Sequence, residues 1–205
     1  MGRRSDHSRA ELREIFIAEG HRHMGDVGYA RFSAREVAKR IGYSVGTVYN
    51  VFGSYDGLIL AINGRTLDLW LDFLEARLDG ADDDAPARRL DRAIEAYFDF
   101  AMAHRHAWTA LYDFRLPDDT PLPEPYAAKV TAIMEAVERE VRAAMPHESA
   151  DEAPALTRSL LATVHGHCFF ALNGTFRLLT ESDPIVAAKA RVADALAAHR
   201  VRLAG

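Results

Sequence analysis

The chain has 205 residues, 49% of them hydrophobic and 27% charged, with a net charge of −5. That length and apolar fraction allow a buried core in one or two domains and argue against a disordered chain. No apolar run could span a bilayer, no charged-then-apolar stretch leads one to expect export, and one cysteine, Cys168, fits a reducing cytoplasm.

Residues 1–8 read as a polar arm. From Ser8, the spacing of Leu12, Ile15 and Phe16 predicts a first helix that ends near Gly25–Gly28. Phe32 and Phe52 are expected as aromatic plugs beneath it. Ser33 with Glu36 three residues later reads as a capping box, so a second helix starts there, with Val37, Ala38 and Ile41 inward. Gly42 ends it where the backbone needs positive φ. Ser44 is a second N-cap, opening a helix whose Val48 and Val51 point back at its predecessor. Alanine for close approach, glycine for the corner and valine for the angle make a helix-turn-helix, whose second helix fits a DNA major groove. An ordinary αα-hairpin in a helical core is the alternative. The outer face of the third helix, Val45, Gly46, Thr47, Tyr49 and Asn50, is small or hydrogen-bonding, where a solvated helix would carry Glu and Lys.

Charge is divided unevenly. Residues 1–55 hold nine Lys/Arg against six Asp/Glu, a net of +3, and residues 56–205 hold sixteen against twenty-four, a net of −8. The positive field is confined to the end that carries the helix-turn-helix. Arg9 and Arg13, on the outer face of the first helix, either reach phosphate or are simply solvated.

Ser54 caps a long fourth helix running to about Leu78, with Leu58, Ile62, Leu69, Trp70, Phe73 and Leu74 at helical steps and Asp56 favourably placed in its first turn. Gly80–Pro86 reads as a loop. A fifth helix is expected over Ala87–Ala103, with Ile94, Tyr97, Phe98 and Ala101 inward, and a short sixth over His104–Leu116, broken by the proline-rich stretch from Pro117. A seventh runs from about Pro125 to Met145 on a stripe including Tyr126, Val130, Ile133, Met134, Val137 and Val141, and Pro146 stops it. The eighth, from Ala155 to about Leu179, is apolar on nearly every face and so is expected to be buried on several sides. The last, from about Pro184 to Leu203, is alanine-rich and suits close helix approach. The pair could form half of a four-helix dimer interface, or serve as internal core of a monomer. The fold expected is all-α, with about nine helices.

The run from Phe32 to Leu58 resembles the DNA-binding domain of the TetR (tetracycline-repressor-like) family of transcriptional regulators. The features that carry the likeness are the capped helix with Val37-Ala38, Ile41-Gly42 at the turn, Gly46-Thr47-Val48-Tyr49, Phe52, and Gly57-Leu58 opening the next helix. One departure stands out: the family usually has a lysine, touching phosphate, where this chain has Tyr55. A hydroxyl can still donate, but one charge contact per subunit is lost. The resemblance implies a DNA-binding domain over residues 1–55 and a ligand-binding and dimerisation domain over 56–205. It implies DNA contacts from Ser33, Arg35, Ser44, Val45, Gly46, Thr47, Tyr49, Asn50 and Tyr55. Arg35 would bond guanine, Thr47 and Asn50 read base edges, and Tyr49, Ser33 and Tyr55 hold phosphates. It also implies a homodimer through the last two helices, a double-stranded operator as partner and a small-molecule effector. His165-Gly166 followed by Asn173-Gly174 resembles a motif of one group of these C-terminal domains.

No phosphate loop, dinucleotide fingerprint, nucleophile elbow or zinc-protease motif is present in the sequence. His104 and His106, like His165 and His167, are two apart, about 200° around a helix, so neither pair chelates alone. A metal site would have to assemble from His104, His165 and Cys168, and no metal, cofactor or catalytic residue is expected. Two aromatic-rich stretches with interspersed polar groups instead suggest a pocket for a mostly apolar ligand. Its candidates are Tyr97, Phe98, Trp108, Tyr112, His165, Phe169, Phe170 and Asn173, any of which could equally be plain packing. A helical enzyme and a protein-binding adaptor are the rival readings.

Overall fold

The computed structural model describes residues 7–80, 84–117, 119–145, 151–180 and 183–204, with side chains as far as His199. Residues 1–6 of the expected arm, most of the acidic loop at 81–83 and the helix stop at Pro146 lie outside the described residues. Ten α-helices follow in order: α1 Arg9–Val27, α2 Ala34–Arg40, α3 Val45–Phe52, α4 Tyr55–Leu78, α5 Pro86–Ala103, α6 Arg105–Asp113, α7 Glu124–Ala144, α8 Ala153–Asn173, α9 Thr175–Leu178 and α10 Pro184–Ala204. No strand occurs among the described residues.

The chain forms two compact units: Met1–Leu69 with His104–Lys129, and Trp70–Ala103 with Val130–Gly205. In the first, α1 begins with a complete capping box. Glu11 N–H donates to Ser8 Oγ at 3.2 Å and Ser8 N–H to the Glu11 carboxylate at 2.8 Å. Phe16 and Met24 then point into a core shared with Phe32, Val37, Ala38, Val48, Leu58 and Ile62. The α6 segment closes this core from the far side of the sequence. Its Ala110 and the following Phe114 are buried there, Asn63 Nδ2 donates to the Ala110 carbonyl at 3.3 Å, and His106 Nδ1 lies 2.8 Å from the Gly25 carbonyl oxygen.

In the second unit, α5 and α8 pack against α10 around Ile94, Phe98, Leu160, Val164, Cys168 and Val192. Arg89 of α5 grips Glu140 of α7 with two parallel bonds of 2.8 and 2.9 Å, both side chains largely withdrawn from water.

Three sequence expectations need correction. At Ser33 the Glu36 N–H donates to the hydroxyl at 3.3 Å, but the Glu36 carboxylate faces Lys39 Nζ at 3.9 Å rather than turning back to complete the box. The helix read through to Leu179 stops at Asn173, which accounts for the tenth helix. Gly174 takes left-handed geometry (φ 79°, ψ 7°), and Asn173 Oδ1 accepts from the N–H and hydroxyl of Thr175, starting α9 afresh. Within the chain, α8 is buried along one face only, Thr157, Leu160, Val164, Cys168 and Leu172, while Phe169 and Phe170 remain 42% and 39% exposed.

Candidate nucleic-acid interface

The corner between α2 and α3 is a fully hydrogen-bonded Schellman turn. Gly42 has φ +79°, its N–H donates to the Lys39 carbonyl at 3.1 Å, and Tyr43 N–H reaches back to the Ala38 carbonyl at 2.9 Å. Ala38 is buried beneath it, and its small side chain leaves room for Val48, the single fully buried residue of α3, at 1% exposure. Ser44 then caps α3 by accepting the Thr47 N–H at 3.3 Å. These contacts form the corner between the two helices.

With Val48 inward, helical geometry turns the neighbouring side chains out. Val45 and Tyr49 are 38% and 50% exposed, and Gly46 and Asn50 are also on the surface. Thr47 is half-buried, its hydroxyl 3.2 Å from Ser44 Oγ. Arg35 on α2 is exposed and makes no ion pair among the described residues. Both N-cap serines accept a backbone N–H with their oxygen; this leaves the Ser33 O–H proton available to an outside acceptor, whereas the Ser44 and Thr47 hydroxyls share one hydrogen bond and so have one O–H proton to spare between them. Tyr55, at the start of α4, is half-buried with its ring centroid 6.3 Å from that of Phe32, and burial raises its phenol pKa above the usual value.

Two contacts escaped the sequence reading. Arg9 Nη2 donates to the Asn50 carbonyl at 3.2 Å, and the Arg13 guanidinium sits over the Phe52 ring, 5.5 Å from its centroid. Both tie α1 to the last turn of the outward-facing helix, so these two arginines serve the fold as well as the local field. Behind them, Glu19 is buried between Arg22 at 2.7 Å and Arg40 at 3.3 Å, joining α1 to α2. Nothing in local spacing signals pairings twenty or forty residues apart.

The residues nominated for ligand contact are dispersed. In the second unit, Tyr97 is buried, its hydroxyl 2.8 Å from His165 Nδ1 and its ring edge-on to Trp70 at 5.4 Å. It borders an apolar cavity of about 50 Å³ whose other walls include Leu74, Ile94, Val141, Leu160 and Val164. Phe98 is buried, Phe169 packs beside the His165 ring at 6.1 Å, Phe170 meets Phe176 edge-on, and Asn173 is exposed as a cap. Trp108 and Tyr112 belong to the first unit, with their rings 6.0 Å apart. Cys168 is buried, and desolvation pushes its thiol pKa up to about 12, so it carries no thiolate at neutral pH. Among the described residues, no three His, Cys, Asp or Glu side chains are placed to hold a metal ion, and no helix is long and apolar enough to cross a membrane.

Two family models match the chain. Residues 16–62 match the bacterial regulatory proteins of the tetR family, and residues 90–198 match the tetracyclin repressor-like C-terminal domain. The HTH-type transcriptional regulator BetI 2 of Chromohalobacter salexigens is 32% identical over 74 residues, 36% of this chain and 36% of that protein. The alignment therefore spans about a third of that relative. Among solved structures, a protein of unknown function from Rhodococcus sp. RHA1 matches with a TM-score of 0.72 at 19% identity, over 97% of this chain and 99% of the other. BioQ bound to its double-stranded DNA operator matches with a TM-score of 0.63 at 18% identity, over 91% and 98%. Identities this low speak to the fold.

Proposed function

This chain belongs to the TetR family of bacterial transcriptional regulators, and from that premise we propose that it works as a homodimeric repressor released from a near-palindromic operator by a small apolar effector. The observation that carries the reading is the α2–α3 corner: Gly42 and Val48 fix the angle, while Val45, Gly46, Tyr49 and Asn50 are turned to solvent. Two such helices, one per subunit, would enter successive major grooves about 34–36 Å apart.

Roles follow from side-chain chemistry. Arg35, exposed and without an acidic partner among the described residues, suits a bidentate bond to guanine, Asn50 and Thr47 suit base edges, and Val45 suits a thymine methyl. The O–H groups of Ser33, Ser44, Tyr49 and Tyr55 suit phosphate oxygens, and Gly46 lets the backbone approach. We assign DNA contact to residues 1–55 and effector binding with dimerisation to 56–205. The surface Phe169, Phe170 and Val186 on α8 and α10 suit a self-complementary apolar interface in the second copy of the chain. The cavity beside Tyr97, about 50 Å³ as it stands, would have to open to admit the effector, with the Tyr97–His165 pair as the nearest polar point. An effector that binds better to a dimer with wrongly spaced heads lowers operator affinity by that difference in affinity. Such a protein acts on cytoplasmic DNA and needs no catalytic residue.

Selection of binding sites from random duplexes tests the reading directly. A near-palindromic consensus should emerge, and Arg35→Ala should cost about 1–3 kcal/mol and relax one base pair of each half-site. Recovery of no consensus, with affinity that is indifferent to salt, would end the regulator assignment.

A further inference from the structure

The first unit contains a cleft of about 380 Å³, separate from the outward face of α3. Its volume lies within the roughly 300–1,000 Å³ typical of small-molecule sites. Ile17 of α1, Phe52 of α3 and Leu60 of α4 give it an apolar floor, and Arg13, Arg65 and Tyr126 stand at its rim.

The rim charges do not cancel. Lys129 is paired with Asp68, and Arg13 lies 3.6 Å from Glu14. Arg65 is exposed and has no acidic partner among the described residues. Its titratable neighbour is His21, whose pKa is lowered to about 4 by burial first and then by Arg65 and His104. At neutral pH His21 is uncharged and does nothing to offset the guanidinium. A free guanidinium above an apolar floor is the complement of an organic anion: the planar fork takes two oxygens side by side, and the floor takes the hydrocarbon.

We propose that this cleft is a second ligand site, which binds a small amphipathic anion, a carboxylate or phosphate monoester with an apolar body of one or two rings, through Arg65. Because Phe52 lies in the last turn of α3, the occupant touches the recognition helix itself. Loading the site therefore alters operator affinity from within the head; that consequence rests on the regulator reading, whereas binding of the anion does not.

The test uses the full chain and titrates 2-naphthoate, 2-naphthyl phosphate and the cationic isostere 2-naphthylmethylamine by calorimetry. At least one anion should bind about tenfold or more tightly than the cation, and the tighter anion identifies the head group. Arg65→Glu, a surface change, should weaken that anion about tenfold. Ala61→Trp, which fills the cleft and leaves its charge alone, should abolish binding, with circular dichroism confirming that both variants are folded. Equal binding of anions and cation, or anion binding untouched by both variants, overturns the proposal. So does a loss confined to DNA affinity in Arg65→Glu, which would make Arg65 a phosphate contact. Operator affinity of the unaltered chain, measured alongside, reports on the regulator reading separately.

Discussion

Arg9, in the first turn of α1, donates from Nη2 to the main-chain carbonyl of Asn50, 3.2 Å away in the last turn of α3. Carbonyls at a helix C-terminus lack intrahelical partners and carry the negative end of the helix dipole, so a guanidinium there satisfies both needs. Arg9→Ala should lower stability by about 0.5–1 kcal/mol. It should also weaken all duplexes by a similar factor, since the contact positions α3 without reading a base. Thermal melting and fluorescence polarisation on matched and scrambled duplexes check both effects; a change in sequence preference would count against this role.

Gly42 has φ +79° and nothing within 4 Å of where a Cβ would sit. Its requirement is therefore backbone strain alone, with no clash. Gly42→Ala should cost about 1–2 kcal/mol, and Gly42→Asn less, because asparagine tolerates the left-handed region. Urea midpoints of the two variants should fall in that order.

Tyr55 has competing duties. A lysine there should steepen the salt dependence of DNA binding by about one counterion per subunit. It should also cost about 1 kcal/mol of stability, because the half-buried ring is lost from its place beside Phe32. Binding curves across a salt series, with a melt on the same variant, separate the two effects.

Two histidines of α1 make the first unit acid-sensitive. Both ring nitrogens of His23 and the Nε2 of His21 are buried without a hydrogen-bond partner among the described residues. Burial leads the downward shift in each, to about 4 for His21; Arg40 adds to it at His23, where Asp26, Glu19 and Glu36 oppose it. The folded state thus binds fewer protons than the unfolded chain, whose imidazoles titrate near 6.5. Their contribution is fully present above pH 6.5 and is lost as pH falls toward about 4. The urea midpoint should drop across that window, and a His21→Gln/His23→Gln double variant should flatten the drop.

Glu140 is buried against Arg89 through two bonds, and Arg89 also donates to the Leu78 carbonyl at 3.3 Å. Glu140→Ala strands a mostly buried guanidinium and should cost about 3 kcal/mol. Replacing both residues with leucine and methionine should recover much of the loss, a comparison accessible by denaturant titration.

The helix-turn-helix was legible because everything that specifies it is local. Two serine caps, one glycine and three small or branched apolar residues lie within twenty positions, and their spacing is their geometry. The break in α8 was also written locally, as Asn173-Gly174, but the apolar Phe176, Leu178 and Leu179 beyond it continued the helical pattern and masked the stop. What stayed hidden needs the chain to return on itself. The Arg9–Asn50 bond, the Arg89–Glu140 pair and the cleft beside Arg65 join residues far apart in sequence. Aromatic density around Tyr97 and His165 gave no sign of facing: Phe98 is enclosed, whereas Phe169 and Phe170 lie on the surface.

Only Val48 of α3 is deeply enclosed, while four of its neighbours meet solvent without contributing to the core. On the reading proposed above, folding and recognition are thereby uncoupled at the level of single codons. A descendant of this gene could then exchange Val45 or Asn50 and acquire a different target site while its head remains intact. Duplicated copies would drift apart in what they control long before they drift apart in shape.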